Sequence, residues 1–281
     1  MGERWRDLRH ALAENPLSIL ALALLGLLLG VAVFGPWLAP HDPLATNTAM
    51  ALRPPSAAHP FGTDQLGRDI LSRVVVATRL DLAIAAGAVA LSLGVGAVIG
   101  AACGYFGGAL DRAVGRVVDV LMAFPLFALA MGVVAALGNS VSSVVYATAV
   151  INLPFYIRLA RAETAVRREM GYVEAARVGG SSHARVLRVV LLPNIAAPLA
   201  VQASVNLGWA VLNAAGLSFI GLGVRAPTPE WGIMVAEGAG FIVSGQWWLV
   251  AFPGAALMLA VFAFNLAGDG LRDLLDPRSR T

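Results

Sequence analysis

The sequence predicts an all-α fold: a polytopic transmembrane helical bundle of six spans with both termini on the cytoplasmic side. Three observations predict it. The 281 residues are 58% hydrophobic and only 13% charged, whereas a soluble chain carries about 25% charged residues. The apolar residues gather into six runs, and about 20 helical residues cross the roughly 30 Å core of a bilayer. The 20 basic residues, all arginines, are divided unevenly between the two sets of connecting segments.

The first run, 17–38, follows a segment, 1–16, that holds three arginines. It exceeds the roughly 7–15 residues of a signal-peptide core, and Trp37-Leu38-Ala39-Pro40 offers no clean cleavage site. It is therefore expected to be retained as span one. The remaining spans are predicted at 82–106, 117–137, 141–159, 195–223 and 247–268. Span three contains Asp119 and Pro125, and span four is interrupted by Asn152 and Pro154. Prolines are tolerated in membrane helices because neighbouring groups re-satisfy the freed backbone. Residues 17–268 thus form one transmembrane domain, followed by a tail at 269–281. With the N-terminus inside, fifteen arginines lie on the cytoplasmic side and five outside, which fits the positive-inside bias.

The outer loop 40–81 contains His59-Pro-Phe-Gly-Thr-Asp-Gln-Leu-Gly-Arg-Asp-Ile-Leu-Ser-Arg73. Thr63 or Asp64 is suited to N-cap a helix. Leu66, Ile70 and Val74 recur at four-residue spacing, and Asp69 with Arg73 forms an i,i+4 pair. The pattern reads as an amphipathic helix on the outer membrane surface leading into span two, or alternatively as a docking site for an outside partner. On span two, Gly96, Gly100 and Gly104 form a small-residue ladder that permits close helix contact. Asp119 has Arg116 three positions earlier on the same face; a local pair and a role in gating both remain open.

The inner segment 160–194 reads as a helix–turn–helix. A short helix over 172–178 meets Gly179-Gly180, a natural helix stop. Ser181 or Ser182 then caps a second helix, with Val186, Val189 and Val190 on one side and Arg185 and Arg188 on the other, ending at Pro193. It forms either a knob projecting into the cytoplasm or a hairpin resting on anionic lipid.

Several chemistries are excluded. The chain has no lysine, so it lacks the P-loop lysine that reaches nucleotide phosphates. A single cysteine, Cys103, rules out an internal disulfide. His10, His41, His59 and His183 show no i,i+3 or i,i+4 pair, and none is expected to be a structural metal ligand.

Glu174-Ala175-Ala176, Gly180, and then Val190, Leu192 and Pro193 after nine intervening residues resemble the cytoplasmic-loop signature of ABC importer permeases, with Val in place of Ile. The block 59–73 is similar to that of the dipeptide/oligopeptide/nickel group. So are Gly104-Tyr-Phe-Gly-Gly108, 217–223, 227–232 and the tail 265–277, in the form of the C-type subunit. Arg225-Ala226 departs from the commonest Gln-Pro.

The resemblance implies a bacterial inner-membrane permease with no catalysis of its own. It would pair with a B-type permease to pass peptides, or a small solute such as a nickel chelate. Its partners would be two cytoplasmic ATPase subunits that bind ATP and Mg²⁺, and an extracytoplasmic binding protein, with no nucleic acid. Tyr172, Glu174, Ala175, Ala176, Gly180, Leu192 and Pro193 would couple to the ATPases. A secondary transporter or channel is the alternative; the absence of a clear internal repeat and of dense midplane charge speaks against it.

Within span five, Gln202, Asn206, Trp209 and Asn213 fall within roughly 60° on one helix face. Amides facing lipid are costly, so this stripe is expected either to line the translocation path or to bond to neighbouring helices.

Overall fold

A computed structural model describes residues 16–275; the segment 1–15 and the last residues of the tail, 276–281, lie outside it. The described residues form α1 (Pro16–Leu38), a 3-10 turn (Thr48–Met50), α2 (Ile70–Phe106), α3 (Gly108–Ala123), α4 (Leu126–Leu137), α5 (Val141–Arg167), α6 (Gly171–Val178), α7 (His183–Phe219), α8 (Trp231–Ala239) and α9 (Trp248–Leu275). No strand occurs among them. Five helices are long and apolar enough to cross a membrane, and the bent pair α3–α4 counts as a sixth if it is taken as one broken span.

The centre of the bundle is α2 against α5. The glycine ladder makes this possible: a Cβ on Gly96 would lie 2.6 Å from Tyr156 Cβ, and one on Gly100 or Gly104 would strike the carbonyl of Ile157 or Arg161. Helix α7 packs on the same pair, and α1 and α9 close the outside. Ile70, Ala85, Tyr156, Ala160, Ile195, Ala210 and Trp231 are buried in one apolar core.

Six expectations are corrected. The outer stretch before span two is not an amphipathic helix. Gly62 and Gly67 adopt φ of +76° and +74°, and long-range backbone bonds such as Asn47 N–H to Leu66 O (2.9 Å) and Leu52 N–H to Asp64 O (2.9 Å) hold the loop. The N-cap is Asp69, whose carboxylate accepts from Ser72 N–H (2.8 Å), not Thr63 or Asp64. Asp69 is therefore not the partner of Arg73, which sits 3.7 Å from Asp64 and 3.6 Å from Glu237 of α8. Arg68 joins the same buried group at 2.6 Å from Asp64 and 3.1 Å from Glu237. Helix α2 begins at Ile70 and, with 37 residues, is about 55 Å long, so it extends beyond the apolar slab.

Span three is two helices bent by 98°. Phe124 is extended (φ −78°, ψ 142°), as the residue before a proline tends to be, and Pro125 cannot carry the α3 ladder forward. Asp119 pairs with Arg158 of α5 at 2.7 Å rather than with Arg116. Finally, Pro193 does not end the second inner helix. Val186–Leu191 is π-helical, with Leu192 N–H bonded to Leu187 O, and this wider turn carries the helix past the proline without a break.

Candidate functional site

The helix–turn–helix knob of segment 160–194 is built at one end of the bundle. Helix α6 ends in a Schellman motif: Gly180 N–H donates to Arg177 O (3.0 Å) and Ser181 N–H to Ala176 O (3.0 Å). Gly180, at φ +79°, occupies the left-handed position this motif requires. Ser182 then caps α7 by accepting from Arg185 N–H.

The knob is rooted in the bundle by Val173, which is fully buried with Val186, Leu191 and Tyr105. Tyr105 stands at the C-terminal end of α2. Its hydroxyl lies 2.8 Å from His183 Nδ1 and accepts from Arg177 Nε (3.3 Å), while the Arg177 guanidinium stacks 4.8 Å over its ring. Arg168 further donates to Gly104 O (3.2 Å). Both arms of the knob thus clasp one aromatic residue of α2. The sequence reading missed this bracket; its only trace was the Gly104-Tyr-Phe-Gly-Gly108 block.

The signature residues divide by exposure. Tyr172, Glu174, Ala175, Gly180 and Pro193 are exposed, whereas Ala176 and Leu192 are half-buried. Val178, outside the signature, is 83% exposed. Glu174 has no ion-pair partner among the described residues. The knob therefore presents a carboxylate, an alanine step and an aliphatic tip, with Arg177 and His183 turned back onto Tyr105 and Arg185 and Arg188 left exposed.

The pattern of the family described as binding-protein-dependent transport system inner membrane component matches residues 96–281. The chain belongs to this family of inner-membrane permeases. Residues 3–55 match the N-terminal transmembrane domain of oligopeptide transport permease C. The probable D,D-dipeptide transport system permease protein DdpC of Escherichia coli is 43% identical over 268 residues, covering 95% of this chain and 90% of its own. The dipeptide permease DppC of Alkalihalophilus pseudofirmus is 40% identical over 277 residues, covering 99% and 91%. The di/tripeptide permease DppC of Pseudomonas aeruginosa is 40% identical over 284 residues, covering 99% and 92%. The chain is thus the permease subunit of a multi-subunit importer, a membrane component without catalysis of its own, and not a secondary transporter or channel.

In this permease the span-five stripe is unevenly covered by the chain's own helices. Asn206 and Asn213 are buried, Gln202 is half-buried and Trp209 is 55% exposed. Gln202 Nε2 donates to Asn206 Oδ1 (2.9 Å).

Proposed function

We propose that this permease pairs with a B-type permease to form the pathway of a short-peptide importer, with dipeptides the first cargo to test. The relatives named for dipeptide or di/tripeptide transport, aligned over nearly the whole chain, support the cargo class. Cargo arrives from an extracytoplasmic binding protein. Two ATPase subunits, which hold the ATP and Mg²⁺, grip the knob from the cytoplasm, where both termini of the permease also lie. Tyr172, Glu174, Ala175, Ala176 and Gly180 face the ATPase socket, and Leu192 and Pro193 join the knob to span five. Gln202, Asn206, Trp209 and Asn213 border the path.

The observation that carries this reading is the double anchorage of the knob, to α2 through Tyr105 and to α7 through a continuous helix. A push on a body so fixed reaches the spans instead of dissipating in a loop. The test is Ala175→Arg, a change at an exposed position on the knob. In proteoliposomes holding the complete transporter, the variant should assemble the permease pair but lose dipeptide uptake and the stimulation of ATPase by loaded binding protein. Undiminished uptake and stimulation would refute the assignment.

A further inference from the structure

The loop joining α1 to α2 brings three metal-ligating side chains from separate segments to one point. His41 stands just beyond the end of α1, His59 in a turn closed by Ser56 N–H and Gly62 N–H on His59 O, and Asp69 at the N-cap of α2. One donor atom from each lies within 4.8 Å of the other two. His59 Nδ1 is 2.9 Å from Asp69 Oδ1, and His41 Nδ1 is 3.7 Å from Asp69 Oδ2. The two imidazole rings face one another at 4.7 Å.

We propose that His41, His59 and Asp69 form a binding site for a borderline divalent transition metal, zinc being the reference ion. Two imidazoles and one carboxylate are a donor set for zinc, nickel or copper; magnesium and calcium prefer all-oxygen shells. Donors around a tetrahedral zinc stand about 3.3 Å apart at Zn–N of 2.0–2.1 Å, a value bracketed by the spacings here, so small side-chain rotations close the shell. Asp69 is only 1% exposed, yet the neighbouring arginines, Arg68 and Arg73, are committed to Asp64 and Glu237. Its charge is left to the two histidines.

The second shell is already in place. Ser72 donates to Asp69 Oδ2 through N–H (2.8 Å) and Oγ–H (2.7 Å), and Ser72 Oγ itself accepts from His41 N–H (3.0 Å). One serine thus fixes the carboxylate and the backbone of a second ligand, the arrangement that orients metal ligands. His41 is 43% exposed, leaving a coordination position for water. A bound ion would staple the end of α1 to the start of α2.

The test uses the complete, untagged transporter in detergent, stripped of metal by a chelator and titrated with zinc chloride. One equivalent should bind per copy of this chain, and cobalt(II) in its place should give the visible ligand-field bands of a low-coordinate site. His41→Ala, an exposed change that leaves the fold intact, should abolish the stoichiometric binding and the bands. Ser72→Ala should weaken affinity by about 10–100-fold, and His183→Ala should change neither. Absence of stoichiometric zinc in the wild type, or equal binding and unchanged cobalt bands in His41→Ala, overturns the proposal.

Discussion

Gly180 separates two causes that a single substitution would confound. Its φ of +79° costs an L-residue about 1–2 kcal/mol, a 5–30-fold fall in the closed-turn population. The structure adds no steric charge to this, since a Cβ at Gly180 meets nothing within 4 Å. Within the chain, therefore, Ala and Glu should cost the same, and Asn, which tolerates the left-handed region, should cost least. Any further loss with Glu must arise in the partner's socket. We predict that Gly180→Asn imports nearly normally, that Gly180→Ala is reduced within the 5–30-fold range, and that Gly180→Glu abolishes uptake and the response of ATPase to loaded binding protein. Uptake should be measured in cells at matched membrane levels, with ATPase measured on the purified complexes. Wild-type uptake by Gly180→Glu would refute the socket. Equal inactivity of all three variants would refute the division into turn strain and socket contact.

The purified chain, freed of its partners, should hydrolyse no ATP, because it has no lysine and hence no P-loop; turnover would contradict this. Gly100→Ala should destabilise the α2–α5 seam by about 1–3 kcal/mol, since its Cβ would lie 2.8 Å from Ala160 Cβ, whereas Gly94→Ala on the same helix meets open space; equal melting temperatures for the two variants in detergent would count against the seam. In a Cys103→Ser background, cysteine at 202 should react with a water-soluble thiol reagent in the resting state, and cysteines at 206 and 213, buried within the chain, only when nucleotide is bound to the assembled transporter. Silence at all three positions in both states would mark the stripe as a dry packing seam.

What could be read in the sequence was whatever depends on near neighbours along the chain. The apolar runs fall on the five helices long enough to cross a membrane and on the bent pair α3–α4. The Gly179-Gly180 stop and the short helix before it appear where the local pattern put them, at Gly171–Val178. The failures share a cause. The four-residue spacing of Leu66, Ile70 and Val74 is genuine, but it straddles a loop held by Asn47 and Leu52, contacts that no local window contains. Arg73 finds Glu237, distant in sequence, instead of the nearer Asp69. Pro125 was visible, but the size of the bend at it was not. The face shared by Gln202, Asn206, Trp209 and Asn213 follows from helical period alone; which of them the bundle covers depends on α5 and its neighbours. His41, His59 and Asp69 look unrelated because their spacings fit no compact ligand motif.

The π-helical stretch has a mechanical consequence. Because the chain runs unbroken from His183 to Phe219, the second arm of the knob and span five form one continuous helical rod of 37 residues, about 55 Å long. A tilt of roughly 5° about its midpoint carries each end sideways by about 2 Å, in opposite directions. A small stroke at the exposed tip therefore arrives at the far end of the span at once and reversed in sign. Val186–Leu191, where the winding is loosest, and the turn at Pro198, where the ladder lacks a donor, offer places for twist to accumulate before the rod swings.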